Sequence, residues 1–328
     1  MKLVNLPEAI CQLNNLARIQ NINITTEILI DSIFYKALNR QTTLDPSYST
    51  LTSAALILAS KIVAVSSNIH TVDLSWNGLE AYGPAVAKVL ATSLIIHTVN
   101  MCGNSLGKHA IEVAEAFVVS ISIRTIDISW NDLEEDGPDV AKILARSSTI
   151  CTVIISDNNL GKFGPDTAKA LATSSSINIV DMGFNMLGKY GPAVAKALAA
   201  SLTIHTVYMD SNILAEHGPA VAEAFAASFT IRILNISWNS FEEYGPAVAR
   251  AIVKSNTLTS VELEDFDDLD PKPKSEMARI FTDHNVLAIY HQIIVPNFIS
   301  EICCDTLPKE TIDLIGEYAY IPFIEFTI

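Results

Sequence analysis

The sequence predicts an α/β solenoid, a horseshoe with parallel strands on its concave face, helices on its convex face and a helical cap at each end. Three observations support this fold class. One pattern repeats every 27 residues from Ile69 to Thr257 without an insertion or deletion. Apolar residues alternate in the first part of each unit, as in a short strand. The second part reads as a helix that follows a Gly-Pro dipeptide. Units of this length bury their apolar faces by stacking on their neighbours.

Each unit begins with isoleucine, and its 27 positions are numbered from that residue. Positions 4 and 6 are apolar throughout, as in Val72 and Leu74, which predicts a short strand with one buried face. Position 9 is always asparagine, and position 11 is leucine or phenylalanine. A buried amide must be hydrogen-bonded, so we expect a ladder of asparagines that links consecutive units. These asparagines are Asn77, Asn104, Asn131, Asn158, Asn185, Asn212 and Asn239.

The helical half of the unit starts with Gly-Pro in six of the seven units, and only the unit from Ile96 differs, with Ala110-Ile111. Proline suits the first helical position because no backbone donor is needed there, and glycine is an acceptable cap before it. The helix then reads PAVAKAL or close to it, and its small alanines let neighbouring helices approach closely. We therefore expect one right-handed strand-to-helix coil per unit.

These residues resemble a known family. The strand segment of the LxLxxNxL type and the helix GPAVAKALA at Gly191–Ala199 are similar to ribonuclease-inhibitor-like leucine-rich repeats. That group includes repeats of innate-immune receptors and of bacterial effectors delivered into host cells. The resemblance covers residues 69–257 and implies a protein-binding horseshoe. It implies no particular activity, because such repeats carry many functions.

The ends of the chain predict two further segments. Residues 1–68 are expected to form a helical N-terminal cap that includes a half repeat, because Lys61 lies 27 residues before Lys88. Residues 258–328 are expected to hold a degenerate repeat and a helical C-terminal module. Within that module, Leu307–Ala319 resembles the opening of an F-box, which implies an alternative role as the substrate-recognition adaptor of a ubiquitin ligase. A capping helix is the other interpretation of the same residues.

Composition and motif content disfavour several classes of function. The net charge is −15, which disfavours nucleic acid and anionic membranes and favours a partner with a basic contact surface. The weakly charged run from Leu51 to Val72 has Lys61 at its centre, so no membrane span is expected. Five cysteines show no CxxC spacing, which indicates reduced thiols in the cytoplasm, and the resemblance adds translocation into a host cell. No phosphate loop, nucleophile elbow or metal-ligand spacing is present, so neither enzymatic activity nor a cofactor is expected.

The concave face carries the candidate binding residues. Position 8 holds an aromatic ring in every odd-numbered unit, and position 5 holds an acid in three of those four units. Strands lie about 4.8 Å apart, so the rings are expected roughly every 10 Å in a row of about 30 Å. Exposed aromatics beside acids suit a partner's arginine or lysine. Alternatively, each ring seals the strand edge over the short residue beside it. The predicted partner-binding residues are Trp76, Trp130, Phe184, Trp238, Asp73, Asp127, Asp181, Tyr208 and Asp210.

Overall fold

A computed structural model of the protein describes residues 43–44, 57, 60–61, 63–64, 66–263 and 271–283. Within these residues, nine short strands form one open parallel sheet in chain order. The predicted α/β solenoid is therefore confirmed. The strands are β1 (Thr43–Leu44), β2 (Thr71–Asp73), β3 (Thr98–Asn100), β4 (Thr125–Asp127), β5 (Thr152–Ile154), β6 (Ile179–Asp181), β7 (Thr206–Tyr208), β8 (Ile233–Asn235) and β9 (Ser260–Glu262).

The register of the sheet follows the repeat. From β2 to β9, each strand residue pairs with the residue at the same position of the next unit, as in Val72 with Val99. Before the first unit, β1 pairs with Thr71 and Val72 and extends the sheet by one strand. Residues 57, 60, 61, 63 and 64 are helical, as expected of the half repeat in front of Ile69. The strand in front of that helix was not foreseen.

In the described part of the chain after Ile69, seven helices line the other side of the solenoid, and an eighth follows the last described strand. Each of the seven follows a single 3₁₀ turn at positions 12–14. The eighth, α8, packs on α7, where Arg250 pairs with Glu276 and Met277 and Phe281 are buried. The helices are α1 (Gly83–Leu90), α2 (Ala110–Val118), α3 (Gly137–Leu144), α4 (Gly164–Leu171), α5 (Gly191–Ala199), α6 (Gly218–Ala226), α7 (Gly245–Ile252) and α8 (Pro271–Asp283).

The role expected of the glycine in Gly-Pro is wrong. Glycine is the first residue of the helix instead of its cap, and proline follows as the second. The reason is packing between units. A Cβ atom on Gly164 would overlap the side chain of Leu187, the position-11 residue of the next unit. The same contact joins Gly83 to Leu106 and Gly191 to Leu214.

Gly164→Ala is therefore expected to destabilise the solenoid. The added methyl group must displace the buried Leu187, and overpacking of this kind costs about 1–3 kcal/mol. Chemical denaturation of the variant beside Ser175→Ala, a change at an exposed loop position, measures the difference. An unchanged free energy of unfolding in Gly164→Ala would show that Leu187 moves aside without cost, and the packing explanation would be wrong.

The asparagine ladder is confirmed. The backbone N–H of each of the first six asparagines donates to the side-chain oxygen of the asparagine in the next unit, at 2.8–3.0 Å. Asn158 also donates from its side-chain nitrogen to the carbonyl of Ile128 in the preceding unit, at 3.0 Å. Asn104 and its successors are fully buried, so the amides hold consecutive units together inside the core.

A second ladder runs along the opposite edge of the solenoid, and the sequence analysis missed it. The hydroxyl of Thr203 at position 27 donates to the carbonyl of Ser174, the position-25 residue of the preceding unit, at 3.0 Å. The hydroxyl of Ser201 at position 25 accepts the N–H groups of Thr203 and Ile204. Serine recurs at position 25 in all seven units, which is the signal that would have predicted this ladder.

Candidate protein-binding face

The concave face of the sheet carries charge of one sign. Positions 3, 5 and 7 face this side, and across the described parts of β2–β9 and the residues after them they hold no lysine, arginine or histidine. They do hold five acids. None of the ion pairs recorded among the described residues involves the four aspartates of this set. The five acids are Asp73, Asp127, Asp181, Asp210 and Glu262.

The position-5 aspartates have a structural role that was not predicted. Oδ1 of Asp73, Asp127 and Asp181 accepts the backbone N–H two residues later, each at 2.9 Å. This bond closes the turn at the end of each strand. Asn100 and Asn235 make the same bond at the same distance with a neutral side chain. Where this turn bond forms, it needs a side-chain oxygen at position 5 but not a negative charge.

Burial raises the pKa of several acids on this face, and neighbouring acids raise the pKa of Asp127 and Asp181 further. Burial raises the pKa of Asp127. Hydrogen bonds from Ser129 lower this pKa in part, and the charge of Asp73 raises it further. Burial, together with Asp210 and Asp127, raises the pKa of Asp181 to about 7. Asp181 and Asp210 lie on either side of Gly183, where a Cβ atom would be 3.0 Å from Asp210 Oδ1 and 3.3 Å from Asp181 Oδ1. A cation placed here would relieve the repulsion between these carboxylates.

The acids also suppress the reactivity of a nearby thiol. Burial, with Asp127, Asp73 and Asp157, raises the pKa of Cys102 to about 12. Because the thiolate is the nucleophile, Cys102 is a poor candidate for catalysis. Cys102 and Cys151 are free thiols in the described part of the chain. The other three cysteines lie outside the described residues.

The position-8 aromatics lie at the rim of the concave face and are exposed. Their exposed fractions are 40% for Trp76, 52% for Trp130, 52% for Phe184 and 58% for Trp238. Position 8 has a left-handed backbone in all seven units, with φ between 48° and 66°. This conformation costs about 1–2 kcal/mol for a residue other than glycine. The four rings therefore stand at strained positions without contributing to the buried core.

The even spacing expected of the rings is wrong for the first pair. The centroids of Trp76 and Trp130 are 5.7 Å apart and their planes are tilted by 49°. Trp76 lies over Gly103, where a Cβ atom would be 2.5 Å from the indole ring. Glycine in the intervening unit thus lets the two rings meet. Trp76 covers a neighbouring backbone, as in the sealing alternative, whereas the other three rings are more than half exposed.

Two apolar side chains extend the aromatic rim. Met186 and Ile213 occupy position 10 in adjacent units and are 60% and 59% exposed. Met186 lies in the unit of Phe184, and Ile213 lies in the next unit, between those of Phe184 and Trp238. Position 10 is also left-handed in every unit, so its side chain points outward like that of position 8. The sequence analysis missed this pair, although the other units have glycine or a polar residue at position 10.

Tyr208 lies at position 5 on β7, beside Asp181 in register. It is partly buried, and burial followed by the charges of Glu262 and Asp181 raises its pKa. The structure thus brings Tyr208, Asp181 and Asp210 together on adjacent strands. It places the position-8 rings separately, at the rim. We call the nine predicted residues together the aromatic–acidic face.

The arrangement of the titratable side chains does not point to a metal site in the described part of the chain. The described residues contain no group of three or more His, Cys, Asp and Glu side chains that could hold a metal ion. His70 and His97 share position 2 of adjacent units and stack with centroids 5.3 Å apart. Histidines that recur at one repeat position and stack in this way serve the repeat. No helix among the described residues is both long enough and apolar enough to cross a membrane.

Comparison with solved structures supports the architecture. The chain is similar to the leucine-rich repeat-containing protein LegL7 from Legionella pneumophila, with a TM-score of 0.57 and 16% identity over 81% of this chain and 92% of that one. The chain is a leucine-rich-repeat solenoid. At this identity the likeness establishes the fold and not the activity.

Other comparisons add little to the leucine-rich-repeat assignment. The tropomodulin C-terminal domain of Caenorhabditis elegans matches 46% of this chain and 93% of its own at 12% identity, with a TM-score of 0.36. The yeast Rad7 and Elc1 complex matches 81% of this chain and 90% of its own at 9% identity, with a TM-score of 0.26. Because both TM-scores are low, neither similarity supports a conclusion about this chain. No family model matches the sequence, and no curated protein matches it significantly.

The F-box resemblance falls on Leu307–Ala319, which lies outside the described residues. Most of the predicted N-terminal cap and of the C-terminal module also lies outside them. The structure therefore describes the repeats and α8, and only the predictions for these parts can be compared with it.

Proposed function

We propose that this leucine-rich-repeat protein is a non-enzymatic scaffold that captures a protein with a basic contact surface on its aromatic–acidic face. The observation that carries the proposal is the placement of three tryptophans and a phenylalanine at strained, exposed positions of the rim. Every unit has this backbone at position 8 and glycine would adopt it without strain, whereas tryptophan is the residue most enriched at the energetic centres of interfaces.

The neighbouring units show that the fold does not require these rings. Gly103 and Ser211 occupy position 8 with the same left-handed backbone, at φ of 66° and 54°. Gly103 relieves the backbone strain entirely because it has no Cβ atom. An indole at position 8 is therefore better explained by what it contacts outside the chain than by what it contributes to the solenoid.

The charge of the concave face supports a basic partner. Five acids and no bases lie in its three outward columns within the described residues. The fold itself is satisfied by asparagine at position 5, as Asn100 and Asn235 show. Burial raises the pKa of Asp181, the charges of Asp210 and Asp127 raise it further, and a cationic partner would relieve that repulsion.

Replacing Trp130 and Trp238 together by glycine is expected to weaken partner capture at least tenfold, because buried interface tryptophans contribute about 2 kcal/mol or more each. The melting temperature should not fall, since glycine suits the left-handed backbone. Quantitative affinity capture from cell lysate, with the bound protein identified by mass spectrometry, gives the binding readout. Differential scanning calorimetry gives the stability.

The matched control removes apolar surface elsewhere. Leu202 and Phe229 occupy position 26 on the opposite edge of the solenoid and are 89% and 91% exposed. The double change Leu202→Ser and Phe229→Ser should leave capture intact. A large fall in melting temperature for the tryptophan variant with unchanged capture would show that the rings seal the strand edge, and the proposal would be wrong.

The proposal extends to a site of action. The resemblance to repeats of bacterial effectors, together with free thiols at Cys102 and Cys151, supports a role in a reducing cytoplasm, including that of a host cell. A fusion to a reporter that is active only in host cytosol, expressed from the source organism, tests this part. Signal only from lysed cells would contradict it.

A further inference from the structure

We propose that the aromatic–acidic face binds an extended, proline-rich segment of its partner in the polyproline II conformation, with arginine or lysine at every third residue. This inference rests on the proposed function and specifies the partner's chemistry. It is carried by the spacing of three carboxylates along the sheet and by the aromatic rim beside them.

The spacing comes from the sheet. Asp73, Asp127 and Asp181 lie at position 5 of β2, β4 and β6, which are alternate strands of one parallel sheet. Neighbouring strands are about 4.8 Å apart, so these carboxylates recur about every 9.6 Å. The strands between them carry Asn100 and Ile154, which are neutral. Along position 5 from β2 to β6, charge therefore recurs with a regular period, whereas Asp210 at position 7 and Glu262 on β9 lie outside that period.

A polyproline II helix matches this period. It has three residues per turn and rises about 3.1 Å per residue, so residues i and i+3 lie on one side about 9.3 Å apart. A β-strand places same-side residues about 6.8 Å apart, which falls out of step after one interval. An α-helix brings i and i+7 to one face about 10.5 Å apart, a mismatch that grows to about 2 Å over two intervals.

The carboxylates are held in a fixed direction. The recorded hydrogen bonds of Asp73, Asp127 and Asp181 all use Oδ1, and among the described residues none uses Oδ2. One oxygen is thus tied to the backbone, and the other can accept a hydrogen bond from a guanidinium or ammonium group. Because the bond to the backbone fixes each side chain beforehand, little side-chain entropy is lost on binding.

The aromatic rim suits the same ligand. Proline-rich segments dock in grooves lined by aromatic rings, because the preformed polyproline II helix loses little entropy on binding. Trp76 and Trp130 form such a ring pair, tilted by 49°, in the same two units as Asp73 and Asp127. Phe184 lies in the unit of Asp181. Each charged position therefore has a ring at the rim of its own unit, which offers cation–π contact to the same ligand.

Three synthetic peptides of equal composition test the spacing. Fluorescently labelled PPRPPRPPRPP places arginine at i, i+3 and i+6, whereas PPPRPRPRPPP uses every second residue and PPPPRRRPPPP uses a single block. Fluorescence anisotropy with the full chain measures the affinities. The buffer contains about 0.15 M salt, which screens long-range attraction. The first peptide is expected to bind at least tenfold more tightly than the other two. Equal affinities would show that binding depends on net charge alone, and the inference would be wrong.

Charge variants that keep the turn bond sharpen the test. Asp127→Asn retains the backbone hydrogen bond, as Asn100 does. It should weaken binding of the i+3 peptide about fivefold, the effect of losing one ion pair.

Asn235→Asp adds a fourth charge in period on β8. It should strengthen binding of a four-arginine PPRPPRPPRPPRPP peptide about fivefold. Asn100→Asp adds the same charge out of period, and a gain for that peptide equal to that of Asn235→Asp would contradict the inference.

The two proposals fail in different ways. If the spaced peptide shows no preference while the tryptophan variant still loses protein capture, the ligand conformation is wrong and the scaffold function stands. If an α-helical peptide with arginine at i, i+7 and i+14 binds more tightly than the i+3 peptide, the ligand is helical and the polyproline II assignment is wrong.

Discussion

Asn158→Ala is expected to lower the free energy of unfolding by about 3–5 kcal/mol, because it leaves several buried backbone groups without partners at about 1–3 kcal/mol each. The amide of Asn158 accepts the N–H of Asn131 at 2.9 Å. It also donates to the carbonyls of Ile128 and Ile155, each at 3.0 Å. The variant breaks the ladder at its middle unit, so urea unfolding should also become less cooperative, as in a solenoid whose neighbouring units are uncoupled.

A matched control separates the ladder from a general effect of substitution. Ser148→Ala changes an exposed residue ten positions earlier and should leave the urea midpoint unchanged within error. Asn158→Asp keeps the acceptor, but it loses the donor and buries a charge. It is therefore also expected to lower the free energy of unfolding relative to the wild type. If Asn158→Ala unfolds at the same urea concentration as the wild type, the ladder does not stabilise the fold.

Asp181→Asn is expected to stabilise the protein at pH 8 by at least about 1 kcal/mol, or about 2–4 °C in melting temperature. The pKa of Asp181 is raised to about 7 in the folded chain, from 3.8. Between these values the folded protein holds a proton that the unfolded chain has lost. The free energy of unfolding of the wild type therefore falls as pH rises from about 4 to above 7. Asparagine preserves the bond to Gly183 and removes the charge.

The pH dependence provides the internal control. At pH 4, where the carboxyl group is protonated in the folded state, Asp181→Asn and the wild type should melt within about 1 °C of each other. Asp127 and Asp210 also have a raised pKa, so part of the wild-type slope should remain in the variant. Asp166→Asn, a change on the exposed side of α4, serves as the comparison. A wild type whose melting temperature rises from pH 5 to pH 8 would contradict this account.

The repeat made much of the fold predictable. Position 4 and position 6 residues such as Val72 and Leu74 are buried, as their alternation required, and the asparagines form the expected ladder. These features follow from local periodicity, because identical units can bury identical side chains only by stacking in register. The serine and threonine ladder was equally regular in sequence. It was missed because a hydroxyl group near a helix end is also common at exposed turns.

The candidate face was predicted less completely. The sequence placed the four aromatics at one position, yet it could not show that Trp76 folds over Gly103 to meet Trp130 at 5.7 Å. It also read Asp73 and Asp127 as surface charges, whereas each also closes a turn. Such roles depend on side-chain directions and on left-handed backbone angles, which residue spacing does not specify.

The sequence by itself determined the solenoid, because a 27-residue period with one buried asparagine and one apolar position 11 can be satisfied only by stacked units. Only the tertiary structure decided which side chains are surplus to the fold. Asp181 and Asn235 make the same turn bond, so the charge is extra, and Trp238 and Gly103 share one backbone conformation, so the ring is extra. That distinction rests on hydrogen-bond geometry and backbone angles, which exist only once the chain has folded.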